Sequence, residues 1–235
     1  MFLRQRQYFF MRPSDKDLNK IEKRIIFIDN HIIVVDKDFG LLTQPSSISN
    51  DSLENLLKDY LKEKFQKKGN VFLHAIHRLD KKAGGLVLFA RSSKALSRLN
   101  EQMRNNLIER FYIAEVEGLF NEKKGFLLDY MVHSSHMAKI VDKNFIDAKL
   151  ARLSYEVIAE SQNGSIVEIK LFTGRYHQIR VQMSNNGHSI VGDEKYNSKI
   201  KQKNINLACY KLCFLHPILK KSMVFEKKPD FVKNR

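Results

Sequence analysis

An α+β domain, with a largely antiparallel mixed β-sheet flanked by helices, is what this 235-residue sequence predicts. Three observations predict it. Strand-like runs follow one another with no full crossover helix between most of them, which disfavours a parallel, doubly wound sheet. Two amphipathic stretches have helical spacing and carry their own caps. No internal repeat, low-complexity linker or composition break divides the chain, so a single core is expected.

The elements follow in order. "RIIFIDNHIIVVDK" (24–37) is two β-branched runs split by Asp29-Asn30, a hairpin signal. "DFGLLTQPSS" is a loop. In 50–68, capping residues precede Leu53, Leu56, Leu57, Tyr60, Leu61 and Phe65 at helical spacing, so a helix ending near Gly69 is expected. "GLVLFAR" (85–91) is a short buried strand, and 92–107 is a helix with a serine N-cap. "RFYIAEVEGLF" (110–120) alternates as a strand. "ARLSYEVIAES" and "SIVEIKLFTG" form an antiparallel pair turning at Asn163-Gly164, and "RYHQIRVQMSNNG" (175–187) is a short helix stopped by Asn185, Asn186 and Gly187. "NINLACYKLCFLH" and "SMVFEKKP" are late strands.

Lysine and arginine total 41 against 26 acidic residues, a net charge of +15. That excess favours polyanionic partners, nucleic acid first and acidic membrane surfaces second; the blander account is a well-solvated basic surface. Only two cysteines occur, Cys209 and Cys213, so no disulfide framework exists and a reducing compartment is expected. In a strand their even spacing puts both on one face. Arg4, Arg6 and Arg12 interrupt the apolar N-terminus, leaving no signal-peptide core, and no window approaches the roughly 18 apolar residues needed to span a bilayer. A cytoplasmic protein without membrane attachment is expected, with Met11 an alternative start.

Three segments could carry chemistry: "HRLDKKAGG", "RFYIAEVEG" and "FTGRYHQIRVQMSNNGHSIVGDEKY". As a helix, the third places His177, Arg180 and Ser184 on one polar face. An arginine turned toward the sheet needs an anionic partner, because an unpaired buried charge costs several kcal/mol. The nearest plausible partner in a strand-end loop is Asp80. Such a pair would keep the carboxylate ionised and aim it, as a nucleophile or base needing no metal.

"HRLDKKAGGLVLFA", "YIAEVEG", "GRYHQIRVQMSNNGHSIVGD" and "LHP", in this order over 25–231, resemble the signature segments of the RluA-type pseudouridine synthases. The resemblance implies the pseudouridine synthase fold and an enzyme, without cofactor or metal, that isomerises uridine in RNA. It makes Asp80 the catalytic aspartate, Arg180 its ion-pair partner, and Tyr112 the ring that stacks on the target base and serves the late proton step. Arg78 would fill the space left by the everted uridine, and His77, His177 and Gln178 join it as RNA or substrate contacts. The resemblance also accounts for the lone carboxylate of the first segment. Glycosidic hydrolysis usually takes two carboxylates; a uracil that is retained and rejoined through C5 needs no activated water.

The chain departs from the family pattern at Ala83-Gly84, where Thr-Ser is common, at Asp38 and Gln44 in "KDFGLLTQP", and at Ala208. None touches the catalytic residues, so RNA contacts are what the departures bear on. Blander accounts stand beside each assignment: a turn-capping surface pair for Arg78 and Asp80, a cross-strand aromatic for Tyr112, a snorkelling chain for Arg180, and local backbone bonding for His177 and Gln178. The HxxH spacings at His74/His77 and His133/His136 match no common closed zinc site.

Residues 1–24 are expected to be an N-terminal extension, too short for the small RNA-binding domain many relatives carry in front, and 25–235 a single catalytic domain acting as a monomer. Its target would be a stem-loop of rRNA or tRNA. Two rivals remain at this stage: a non-catalytic RNA-binding or ribosome-assembly protein on the same fold, and a glycosidic hydrolase with Asp193 or Glu194 as second carboxylate.

Overall fold

The computed structural model describes residues 15–134, 136–162 and 164–233. The expected hairpin is β1 (Ile25–Ile28) against β2 (Ile32–Lys37). Its turn is tied by Asp29, whose Oδ1 accepts from the amides of His31 (2.7 Å) and Ile32 (2.8 Å), an aspartate side chain standing in for a backbone turn. A helix not legible in the sequence, α1 (Asp15–Glu22), packs on α2 (Leu53–Lys64). Ser52 caps α2 by accepting from Asn55 N, and the helix ends at Lys64 rather than near Gly69.

After the two-residue β3 (His74–Ala75) comes β4 (Gly84–Ala90), buried along its whole length. Then follow α3 (Ser93–Arg104), capped by Ser92, and β5 (Glu109–Glu117). The strands β6 (Lys124–Ser134) and β7 (Met137–Val141) form a hairpin for which no element was expected. Next are β8 (Lys149–Ser161) and β9 (Gly164–Leu171), the antiparallel pair read from the sequence; Asn163 of its turn lies outside the described residues. The chain closes with α4 (Gln178–Asn185), a single 3₁₀ turn (Glu194–Tyr196), β10 (Leu207–Leu215), β11 (Ser222–Glu226) and α5 (Asp230–Lys233).

The strands join in the order β1-β2-β4-β10-β5-β9-β8-β6-β7, with β11 on β10 and β3 on β4. Among the described strand pairs only β4 and β10 run parallel, so the sheet is mixed and mostly antiparallel. At that junction Gly85, with φ +105°, lies so close to Cys209 that a Cβ would strike its backbone. Glycine is therefore required there.

One expectation fails in β10. A bulge between Cys209 and Lys211 shifts the pairing with β5. Cys209, Leu212 and Phe214 take the main core, while Tyr210 joins the smaller cluster on the opposite face. With Leu212 and Phe214 facing the core, Cys213 between them points the other way. The extra residue turns the even spacing of the cysteines into opposite faces.

Candidate active site

Lys37, 1% exposed, donates from Nζ to the carbonyls of Leu41 (2.7 Å) and Asp38 (2.9 Å) and reaches that of Lys81 (3.5 Å). Burial pushes its ammonium down to about 8, against the nearby charge of Asp80. Gly40 N donates to Lys81 O (2.7 Å), and Thr43 Oγ1 and Leu79 exchange two 3.0 Å bonds. The stretch after β2 thus braces the stretch before β4. The departures noted above are structurally absorbed: Asp38 pairs with Arg24 and Lys20, and Gln44 donates to Glu54. The place of a Gly84 side chain is taken by Phe39, 2.7 Å from where a Cβ would stand.

The carboxylate of Asp80 projects from this brace with 19% of its side chain exposed. Arg180, on the first turn of α4, donates from Nη1 to Asp80 Oδ2. The rest of its guanidinium is held side-on by Asp193, Nε to Oδ2 at 2.6 Å and Nη2 to Oδ1 at 2.6 Å. Asp193 is fully buried, and Tyr196 packs on the Arg180 plane, 4.9 Å from Cζ to the ring centre. A bidentate carboxylate fixes the plane as well as the charge of an arginine. Both oxygens of Asp193 are committed to Arg180, which leaves it unsuited to activating a water, and Glu194 lies exposed on the 3₁₀ turn. The hydrolase alternative loses its second carboxylate.

His177 completes the setting in a way the sequence did not suggest. It is the N-cap of α4 in the left-handed region, φ 54°, not a residue of the helix. That conformation swings its ring to Asp80, Nε2 to Oδ2 at 2.8 Å. Nδ1 lies 2.8 Å from Tyr196 Oη, which accepts from Ala138 N at 2.9 Å. With its acceptor role filled by that amide, the Tyr196 hydroxyl donates to Nδ1, and Nε2 then carries the proton that His177 gives Asp80. The same Nε2 stands 2.9 Å from Arg180 Nη1, but two donors face each other there and no hydrogen bond forms. Burial lowers the His177 pKa against the opposing effect of Asp80, in keeping with a neutral ring. For Asp80, burial alone would raise the carboxyl pKa. The hydrogen bond from His177 and the charge of Arg180 outweigh it and hold the group well below the usual carboxylate range.

The other expected residues divide. Arg78 is exposed beside Asp80. Tyr112 projects from β5 into the main core and is 5% exposed, and burial raises its hydroxyl pKa. His77 is a correction. It is 7% exposed, accepts from Leu88 N at Nε2 (3.3 Å), and burial pushes its pKa down to about 3. It supports β4 from inside and has no face to offer RNA. Gln178 is a second correction: its Oε1 accepts from Thr173 (2.7 Å) and Arg175 (3.1 Å) while Nε2 donates to Arg152 O (3.1 Å). All of that pins the 172–177 loop to its neighbours. His177 is likewise occupied by Asp80 and Tyr196 instead of a phosphate.

The structure adds Tyr176, which no reading of the sequence singled out. It is 42% exposed, stacks on His177 at 3.8 Å between ring centres and meets His133 at 4.1 Å. Beside it opens a groove of about 510 Å³ lined by Met131, His133, Lys149, Gly174, Arg175 and Tyr176, among others. A wall carrying Lys149, Arg175 and the Tyr176 ring, with Asp147 as its acidic member, next to an ionised carboxylate, suits a polyanion carrying flat bases.

The fold itself defines a class. "Human RNA Pseudouridylate Synthase Domain Containing 4" superposes with a TM-score of 0.77 at 21% identity, over 91% of this chain and 92% of that one. "Human RNA Pseudouridylate Synthase Domain Containing 1" gives a TM-score of 0.72 at 19% identity, over 89% and 84%. The architecture is that of the pseudouridine synthases.

The sequence profile described as RNA pseudouridylate synthase matches residues 31–185. The chain is 33% identical to "Ribosomal large subunit pseudouridine synthase D" of Zymomonas mobilis, over 92% of this chain and 72% of the relative. It is 32% identical to "Dual-specificity RNA pseudouridine synthase RluA" of Haemophilus influenzae, over 88% and 93%. An uncharacterized RNA pseudouridine synthase of Mycoplasma genitalium is 29% identical, over 87% and 66%. This chain belongs to the RNA pseudouridylate synthase family, a family of isomerases that act on RNA.

Proposed function

We propose that the protein converts specific uridines of a structured rRNA or tRNA to pseudouridine, breaking C1′–N1 and rejoining through C1′–C5 at Asp80. The single observation behind this reading is the triply restrained Asp80: Arg180 and His177 both bond its Oδ2, Lys82 N donates to its Oδ1, and Arg180 is itself clamped by Asp193. A carboxylate kept ionised and aimed, with its escort already oriented, is pre-organised for attack or proton abstraction on an incoming nucleotide. The target base must leave its stack to reach it. Tyr112 would underlie that base and take part in the late proton step, and exposed Arg78 would occupy the vacated space. Tyr112 is nearly covered, so this role requires the nucleotide to enter above its edge. Residues 25–235 would work as one catalytic domain, as a monomer and in the cytoplasm. Among the described residues no helix is long and apolar enough to cross a membrane.

The test is chemical mapping of pseudouridine in total RNA from a deletion strain, complemented with wild type or Asp80→Asn. Loss of one or a few pseudouridines, restored by wild type and not by the variant, is the expected result. A deletion strain that retains every pseudouridine, or a variant that restores them, overturns the reading. A silent RNA-binding protein on this fold would be indifferent to Asp80→Asn.

A further inference from the structure

Arg110 is a further guanidinium near this groove, and it is placed unlike Arg180. On β5 the residues Tyr112, Ala114 and Val116 face the main core, while Phe111 and Ile113 face the opposite cluster. Arg110 therefore projects on the same face as Tyr112. It is 9% exposed, and its Nε is buried without a hydrogen-bond partner. Among the described residues its guanidinium has no hydrogen bond and no ion pair. Arg180, by contrast, is held by two carboxylates.

The groups around Arg110 do not supply a counter-charge. Its charge is felt by His77, Tyr112 and Cys209. All three are neutral near pH 7, His77 pushed down to about 3 and the Cys209 thiol up to about 12 by burial, with the Tyr112 hydroxyl also raised. On its outer side the guanidinium lies against Gly174, where an added Cβ would stand 3.0 Å from Nη1. Gly174 lines the groove beside Tyr176, so only a residue without a side chain separates this cation from that space. A buried cation with no anion is costly, and such a group is retained where an anion arrives from outside.

We propose that Arg110 is the seat of a backbone phosphate of the everted nucleotide, reached through the groove over Gly174. The proposal rests on the reading of this face as an RNA site and deepens it. A phosphate carries its charge before any bond of the substrate breaks, and its paired oxygens match the fork of a guanidinium. Binding would convert an unpaired buried charge into a paired one, and it would do so only when the nucleotide is turned out of its stack.

Fluorescence anisotropy with octauridylate at several salt concentrations tests this on wild type, Arg110→Met, Arg110→Lys and Asp80→Asn, with thermal melting of each. Arg110→Met is expected to weaken binding about tenfold at low salt and to lower the log–log salt slope by about 0.7, the share of one phosphate on a single strand. Its melting temperature should rise by about 2–4 °C, because a strained charge has been removed. Arg110→Lys should recover most of the slope. A purely structural arginine would instead lower the melting temperature and leave the slope unchanged, which overturns the proposal. An unchanged slope with slower turnover assigns Arg110 to the base and overturns it too. Asp80→Asn, expected to bind octauridylate like wild type, separates the two ideas: if it still forms pseudouridine, the catalytic reading fails while the Arg110 result stands. Wild type that binds no octauridylate overturns both.

Discussion

The central strands and the outer wing of this sheet are made of similar residues and do opposite things with them. In β4 every position from Gly84 to Ala90 is buried. In β6 exposure alternates, and Phe126 and Leu128 stand 54% and 56% exposed. The centre holds the Asp80 loop by packing and by the hydrogen bonds that Lys37, Gly40 and Thr43 make to residues 79 and 81. The wing contributes a polar thread that reaches the carboxylate, from Ala138 N on β7 through Tyr196 and His177 to Asp80. The lesson is that the rigid region sets where the carboxylate stands, and the lightly packed region, through Tyr196, sets which proton His177 offers it.

The strongest way to break this comparison is at the buried clamp. Asp193→Asn leaves Arg180 with a half-satisfied, desolvated charge, and loss of one partner of a buried pair costs about 3–5 kcal/mol. Urea unfolding should show that loss together with loss of turnover; a stable, active variant would mean that Arg180 does not depend on Asp193. Next, Leu88→Ala in fully buried β4 should cost about 2–5 kcal/mol.

Acid sharpens the same contrast. Because the Asp80 carboxyl is lowered in the folded protein, its stabilising contribution is complete above the unfolded value of about 3.9 and drains away as pH falls through the folded one. The urea midpoint should therefore decline below about pH 4, and less steeply in Asp80→Asn. Tyr196→Phe, which cuts the thread without emptying space, should cost about 1–2 kcal/mol through two lost hydrogen bonds. Turnover should fall on the order of tenfold while the protein stays folded; unchanged turnover would reduce the thread to scaffolding. Leu128→Ala on the wing should change stability by less than about 0.5 kcal/mol.

Much of the centre was legible because periodicity, caps and turns agree there. Ser52 and Ser92 cap the helices expected of them, and Asp29 closes the first hairpin. The wing was not, because "GFLLDYMV" presents consecutive apolar residues where a half-exposed strand would alternate. Asp80 and Arg180 could be singled out from residue chemistry and spacing. Tyr196, Tyr176 and the holding role of Asp193 could not, since each depends on contacts across the fold and on the left-handed turn at His177. His77 and Gln178 misled for the same reason: their positions in the motifs say nothing about which way they face. The bulge after Cys209 shows how one inserted residue defeats a two-residue period.

The slot between β4 and β5 is filled by β10, a strand made some 120 residues after β4 begins. During synthesis, therefore, the two strands that flank this slot wait for a late arrival, and Gly85 meets Cys209 only then. Long-range pairing of this kind is slow and comes after local structure. The pairing that joins β4 to β5 through β10 is consequently complete only once residues 207–215 have been made.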